Sequence, residues 1–258
     1  MTHSLFRLDG KTVLISGAGG GIGRVLVQIF RAAGAGVVGI DREAGALAGL
    51  ELSRQVLCDQ ADAAATRAAV SAEIAAHGAP DIVVANAGFT RAEHFDHLDD
   101  TVWASEMAIN LNGAYALVDP VVKAMAERGR GSVVFISSVN ALNHYGNPAY
   151  SAAKAGLIAY AKAIALERGD KGVRANVVAP GSVRTPAWDH RLEANPALLS
   201  KVLPHYPLGR LVSPAEVANA ALFLASDAAS GITGVTIPVD AGLTAGNLRF
   251  VNEVLRAQ

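Results

Sequence analysis

The chain has 258 residues, 51% of them apolar and 17% charged, with a formal net charge of -1. That balance excludes a disordered chain, and the lack of long like-charge runs argues against nucleic acid or an anionic membrane as partner. The only cysteine, Cys58, excludes an intrachain disulfide and a cysteine-based metal centre. Arg7 and Asp9 interrupt the stretch where a secretion signal needs apolar residues, and no apolar run is long enough to span a bilayer. A cytoplasmic protein without a membrane partner is expected.

Strand and helix signals alternate along the chain. "KTVLIS" (11–16) is an apolar, β-branched run ending in glycines, and "IGRVLVQIFRAAG" (22–34) has helical spacing with a glycine stop. Strands are expected over 36–41 and 54–59, a helix over 62–78 and a strand over 81–88. Helical stretches follow from about Asp99 to Arg128, with Pro120 kinking or interrupting them. Then come a strand over 131–138, a long helix over 148–169 and a strand over 173–181. A helix over 213–226 carries a serine cap and a proline in its first turn, and the last strand is 234–240. The strands are near-continuous apolar runs, as in a parallel sheet covered by helices on both faces. The fold class is therefore α/β: a single-domain, Rossmann-type doubly wound parallel sheet spanning 1–258. The polar, proline-containing stretch 182–212 reads as an insertion, with a substrate lid over about 185–210.

Three groups of residues carry chemistry. The turn "SGAGGGIG" (16–23) fails the G-x-G-x-x-G pattern but fits G-x-x-x-G-x-G with Gly17, Gly21 and Gly23. Such glycines let backbone N–H groups approach a pyrophosphate at a helix N-terminus; by itself such a turn could equally be a flexible connection. Asp41 ends the second strand, where a carboxylate accepts hydrogen bonds from an adenosine ribose and repels a 2′-phosphate. This favours NAD, although the adjacent Arg42 leaves NADP open. Tyr150 and Lys154 stand four apart at the start of a predicted helix and share one face. A phenol of pKa about 10 is a poor base, and a neighbouring ammonium lowers it toward use in proton transfer. Alone, such a pair is most often an ordinary helix surface.

Taken in order, the glycine turn, the acid after strand two, "ANAG" after strand four and Y-x-x-x-K after strand five resemble the short-chain dehydrogenase/reductase family, over roughly residues 8 to 246. The resemblance implies a nicotinamide cofactor held by Gly17, Gly21, Ile22 and Gly23, with Ser16 where threonine is more usual. It further implies Asp41 on the ribose, Asp59 at the adenine, and Asn86, Ala87 and Gly88 along the adenosine side. "PGSVRTP" (180–186) resembles the segment around the nicotinamide carboxamide, implicating Pro180, Gly181, Val183 and Thr185. Tyr150 would be the general base in oxidation and the acid in reduction. Lys154 would lower its pKa and bind the nicotinamide ribose, and Asn110 would keep a water linked to the lysine. A serine would stabilise the substrate oxygen. The usual serine-to-tyrosine interval points to Ser137, the local context points to Ser138, and strand alternation allows only one of them to face the site. Ser138 is preferred.

Substrate contacts are expected from Arg91, Asn140, His144, Trp188, His190 and Arg191, beside Ser138 and Tyr150. This polar set suggests a hydroxylated substrate, a sugar or polyol oxidised with NAD, rather than a lipid or steroid. The alternatives are reduction of a 3-oxoacyl thioester, and a non-catalytic dinucleotide sensor. The helix over 148–169 is apolar or small on nearly all sides, which predicts burial against a second copy in a homodimer or homotetramer.

Overall fold

The apolar runs become seven strands: β1 (Thr12–Ser16), β2 (Gly36–Asp41), β3 (Arg54–Leu57), β4 (Ile82–Ala85), β5 (Gly131–Ile136), β6 (Val173–Pro180) and β7 (Thr236–Val239). A computed structural model describes residues 5–90 and 94–256. All seven strands are parallel, in the order β3-β2-β1-β4-β5-β6-β7. The chain therefore builds outward from β1 to β3, returns to β4 beside β1, and builds outward again. The strand order reverses between β1 and β4, and a crevice opens there at the carboxyl ends.

The connecting helices are α1 (Gly21–Ala32), α2 (Ala44–Leu47), α3 (Ala63–His77), α4 (Asp100–Met107), α5 (Gly113–Arg128), α6 (Pro148–Arg168), α7 (Pro186–Ala194), α8 (Leu198–Val202) and α9 (Pro214–Ala225). Alternate strand residues feed two cores. Val13, Ile15, Val134 and Ile136 pack with Leu26 and Phe30 of α1 and Val217 and Leu224 of α9. Leu14, Val133 and Phe135 face the other way, onto Val70, Leu117, Val121, Leu157 and Ile164 of α3, α5 and α6. Phe30 and Phe135 are fully buried, and such a side chain contributes about 1.5–3 kcal/mol by leaving water.

The structure departs from the sequence expectation in three places. Pro120 lies inside α5, which runs on through it; the irregularity is instead a π-turn at Ala108–Asn112. A π-turn inserts a residue into the helical ladder and swings side chains off the regular spacing. The strands expected over 54–59, 81–88 and 234–240 are each shorter, because their last residues leave the sheet to line the crevice or to turn. The stretch 182–212 is largely helical, holding α7, α8 and a 3₁₀ turn at Leu203–His205. It is pinned at its base by a parallel bridge between Val183 and Val212 and by Ser182 N–H donating to the Tyr206 hydroxyl (3.1 Å). The α6 face away from the sheet is left open by its own chain: Ala152, Ala155 and Ala159 are exposed, as is Leu166.

The helix ends follow local chemistry. Ser213 accepts from the Glu216 N–H while the Glu216 carboxylate accepts from Ser213 N–H (2.8 Å), a reciprocal cap on α9. The start of α6 is reached through Gly146 (φ 90°) and Asn147 (φ 54°), both left-handed, before Pro148 sets the first turn. This tight approach presents Tyr150 at the crevice end of α6.

Candidate active site

The glycine turn sits at the reversal point. Gly17 has φ +60°, and a Cβ there would lie 2.9 Å from the Ala87 Cα. A Cβ on Gly23 would lie 1.9 Å from the Gly17 carbonyl oxygen, and one on Gly21 would lie 2.8 Å from the Thr185 Cβ. The turn is thus packed between "ANAG" on one side and the Thr185–Pro186 corner on the other. No side chain caps the N-terminus of α1. Its first N–H groups have no partner within the helix and open toward a cavity of about 790 Å³, as a dinucleotide pyrophosphate requires.

The rest of the cavity is lined from the ends of several strands. At one end Asp41 accepts from Gly19 N–H (3.0 Å) and Arg42 N–H (2.8 Å), which fixes the carboxylate plane with lone pairs still facing the cavity. Arg42 also lines this end, its guanidinium donating to Glu43 (3.0 Å). Asp59 accepts from Ala61 N–H (2.9 Å) and lines the same end with Cys58 and Gln60. Asn86 lines the cavity but also ties strand ends together: its Nδ2 donates to the Ser16 and Gly17 carbonyls (3.0 and 3.1 Å). The Ser16 hydroxyl returns the tie by accepting from Asn86 and Ala87 N–H (3.1 Å each). Gly88, Ile22 and Thr185 complete the groove.

Pro180, Gly181, Val183 and Gly23 do not line this cavity. Gly181 donates to Val239 O (3.0 Å), and a Cβ on it would lie 3.1 Å from the Asp240 Cα. Val183 is buried at the Val212 bridge. These residues root the segment that brings Thr185 to the glycine turn. Several lining residues had no motif to mark them. Ile109 and Glu106 arrive from the π-turn and α4, and Cys58 and Gln60 from the end of β3.

Beyond the groove, four side chains meet. Strand alternation in β5 turns Ser137 to the α6 face, like Phe135, and its hydroxyl donates to the Lys154 carbonyl (2.9 Å). Ser138 faces the other way, where its hydroxyl donates to Asn140 Oδ1 (3.3 Å) and acts to lower the Tyr150 pKa. Its oxygen also accepts from Asn140 N–H (3.1 Å). The Lys154 ammonium lies 5.5 Å from the centre of the Tyr150 ring and donates to Ile136 O (3.1 Å). Asn110, fully buried at the π-turn, accepts from Phe89 N–H (3.1 Å) and donates to Phe89 O (2.7 Å). It therefore clamps the loop that follows β4. A Cβ on Gly88 would lie 2.8 Å from Asn110 Oδ1 and 2.9 Å from Lys154 Nζ, so a bare glycine is what lets these groups converge.

The electrostatics differ from the sequence expectation in one respect. Burial dominates and pushes the Tyr150 hydroxyl up to about 12, with Ser138 working against it and Glu106 adding to it. Burial likewise pushes Lys154 down to about 8, with Glu106 opposing. In the chain by itself the downward pull expected from Lys154 does not prevail, and Tyr150 is a neutral phenol at pH 7. Ionisation of this phenol near neutral pH needs added positive charge beside it.

The expected substrate residues scatter. Arg91 lies outside the described residues. Asn140 spends its amide on Gly146 O (2.9 Å) and Ser151 Oγ (3.3 Å), stapling the loop before α6. His144 is exposed in that loop. On α7, Trp188 is half-buried with the Arg191 guanidinium 4.9 Å over its ring, and His190 is exposed beside Glu193 (3.4 Å).

Comparison with known proteins agrees with this architecture. A family model described as enoyl-(acyl carrier protein) reductase matches residues 17–244. The chain is 38% identical to D-threitol dehydrogenase of Mycolicibacterium smegmatis, over 93% of this chain and 95% of that protein. It is 36% identical to a 3-oxoacyl-[acyl-carrier-protein] reductase of Chlamydia trachomatis, over 92% and 98%. Among solved structures, an oxidoreductase of the short-chain dehydrogenase/reductase family from Burkholderia thailandensis superposes with a TM-score of 0.88 at 43% identity, covering 95% of this chain and 97% of that one. A gluconate 5-dehydrogenase from Burkholderia cenocepacia, in complex with NADP and tartrate, superposes with a TM-score of 0.87 at 33% identity, covering 95% and 100%. A seven-stranded parallel sheet with a dinucleotide groove at its reversal point, matched along nearly its whole length by these proteins, makes this chain an oxidoreductase of the short-chain dehydrogenase/reductase family.

Proposed function

We propose that the protein oxidises a secondary alcohol of a polar, hydroxylated substrate, a sugar or polyol, with NAD. The observation that carries the reading is the convergence of Ser138, Tyr150 and Lys154 at the crevice end of α6, beside the groove that Asp41 closes. A bound oxidised nicotinamide supplies the hydride acceptor and a positive charge beside the tyrosine. Ser138 holds the substrate oxygen. Tyr150 would take the hydroxyl proton of the alcohol, whose carbon becomes a ketone carbon when its hydride passes to the bound nicotinamide. Lys154 supplies positive charge behind the phenolate. Asn110 anchors the loop after β4 and with it the wall of the site. The oriented Asp41 carboxylate supports NAD over NADP.

In this reading residues 1–258 form one catalytic domain, and about 185–210 is its substrate lid. The exposed face of α6 packs on a second copy, in a homodimer or homotetramer, which gel filtration reads. The polyol class is supported by the polar lid and by the names of D-threitol dehydrogenase and gluconate 5-dehydrogenase. Acyl thioester reduction is the second reading, supported by the 3-oxoacyl-carrier reductase relative. A panel of sugars, polyols and hydroxyacyl thioesters, each with NAD and NADP, separates the two; turnover confined to thioesters with NADPH sinks the first. Tyr150→Phe is expected to bind NADH normally and to lose at least about a hundredfold in kcat, within the range of general acid–base catalysis. Full turnover by that variant would remove the tyrosine from the mechanism and leave room for a binding-only role.

A further inference from the structure

Glu106 is a carboxylate where the fold gives a carboxylate little reason to be. It lies on α4, one turn before Asn110, and is only 2% exposed. Burying an ionised group costs several kcal/mol unless hydrogen bonds and counter-charge compensate. Asn110 Nδ2 donates both to the Glu106 carboxylate (3.1 Å) and to its main-chain oxygen (3.0 Å). The same amide donates to Phe89 O (2.7 Å). The Glu106 side chain has other contacts as well. Asn110 Oδ1 and Lys154 Nζ converge on the space above Gly88, and Glu106 holds the Asn110 member of that pair.

We propose that Glu106 is a positioning residue of this active site: it orients the Asn110 amide and supplies the negative charge that keeps the buried Lys154 an ammonium. The inference rests on the catalytic reading of Tyr150 and Lys154 given above. The groups that act on Lys154 come from few directions. Its own helix presents Tyr150, and α4 presents Glu106. The end of β5 and the loop after β4 present carbonyls, hydroxyls and Gly88 rather than charges. Of the described residues, Glu106 is the charge that counteracts burial at Lys154, and it also disfavours the Tyr150 phenolate. The sign of its removal follows. Without the negative charge the ammonium is less stable, so Lys154 loses its proton at lower pH. The phenolate is less repelled, so Tyr150 ionises at lower pH. The two groups titrate as a coupled pair, and both limbs of the pH profile for alcohol oxidation move the same way.

The test is Glu106→Gln, which keeps the shape and an acceptor for Asn110 but removes the charge. Both limbs of kcat/KM against pH are expected to move to lower pH by about one unit, the lower end of what one nearby charge does in a buried site. Glu106→Asp is expected to restore the wild-type limbs. Glu106→Leu, which also removes the acceptor, is expected to lower kcat at least about tenfold. A wholly structural role would lower activity and Tm in all variants without moving either limb, and superimposable wild-type and Gln profiles would overturn the proposal. Should the Gln variant not fold, the pH profile of Glu106→Leu decides: limbs moved to lower pH uphold the inference and unmoved limbs overturn it. Failure of the catalytic reading shows separately, as unchanged turnover in Tyr150→Phe.

Discussion

Replacing Gly23 by alanine sets helix propensity against sterics, and the two predict opposite signs. Gly23 lies in the first turn of α1, where alanine is favoured over glycine by about 1 kcal/mol. The new Cβ would lie 1.9 Å from the Gly17 oxygen, 2.8 Å from the Gly17 carbonyl carbon and 2.9 Å from the Ala18 carbonyl carbon. All three are backbone atoms, and contacts under 3.0 Å are not tolerated, so the turn must retreat by about 1.1 Å. The same Gly17 oxygen accepts from Gly20 N–H (3.1 Å) and from Asn86 Nδ2 (3.1 Å). Losing those two hydrogen bonds costs about 2 kcal/mol, and overpacking adds about 1–3 kcal/mol. Less the propensity gain, the variant is expected to be about 2–4 kcal/mol less stable, a fall in Tm of roughly 5–15 °C for a chain of this length. NADH affinity should fall about a hundredfold or more, because the displaced turn carries the N–H groups that meet the pyrophosphate. Thermal unfolding with and without NADH and a fluorescence titration measure both. Gly45→Ala is the control: it lies in α2 with nothing within 4 Å of its Cβ, and should be neutral or mildly stabilising. A Gly23→Ala protein as stable as the parent, with unchanged NADH binding, would refute the steric argument and with it the packing of the turn.

Asp41→Ala is expected to weaken NAD binding about tenfold or more, the worth of a charge-assisted hydrogen bond, and to raise the kcat/KM ratio of NADP over NAD by at least as much; an unchanged ratio would remove Asp41 from cofactor selection. Gly88→Ala puts a methyl group 2.8 Å from Asn110 Oδ1 and 2.9 Å from Lys154 Nζ. Because the lysine end can give way, the fold should survive while kcat falls about a hundredfold through misplacement, read by steady-state kinetics beside an unaltered Tm. Glu216 is held down from its usual 4.5 to about 2 by Arg210 and by the Ser213 N–H. A depressed folded-state pKa means its contribution is present above about 4.5 and is lost as pH falls toward 2. Glu216→Gln should therefore lower Tm at neutral pH, by an amount set by a cap worth about 1 kcal/mol, and the gap to the parent should close as pH drops through that window.

Local sequence determined much of this protein. Alternating apolar runs and helical spacings are properties of neighbouring residues, so the parallel sheet, its helices and the α9 cap were legible without coordinates. So was the order of the turn at Gly17–Gly23, Asp41, "ANAG" and the Tyr150–Lys154 pair, because each sits at the end of its own element. What stayed hidden depended on elements distant in the chain. Spacing and context disagreed over Ser137 and Ser138; the packing of α6 against one face of β5 turned the first to a Lys154 carbonyl and the second to Tyr150. Pro120 looked like the break in the helical stretch, yet the interruption is a π-turn at Ala108–Asn112 that no residue type announces. No motif marks Glu106. Only the approach of α4 to the loop after β4 buries its carboxylate against Asn110, because burial is decided by what packs on a residue and not by the residue itself.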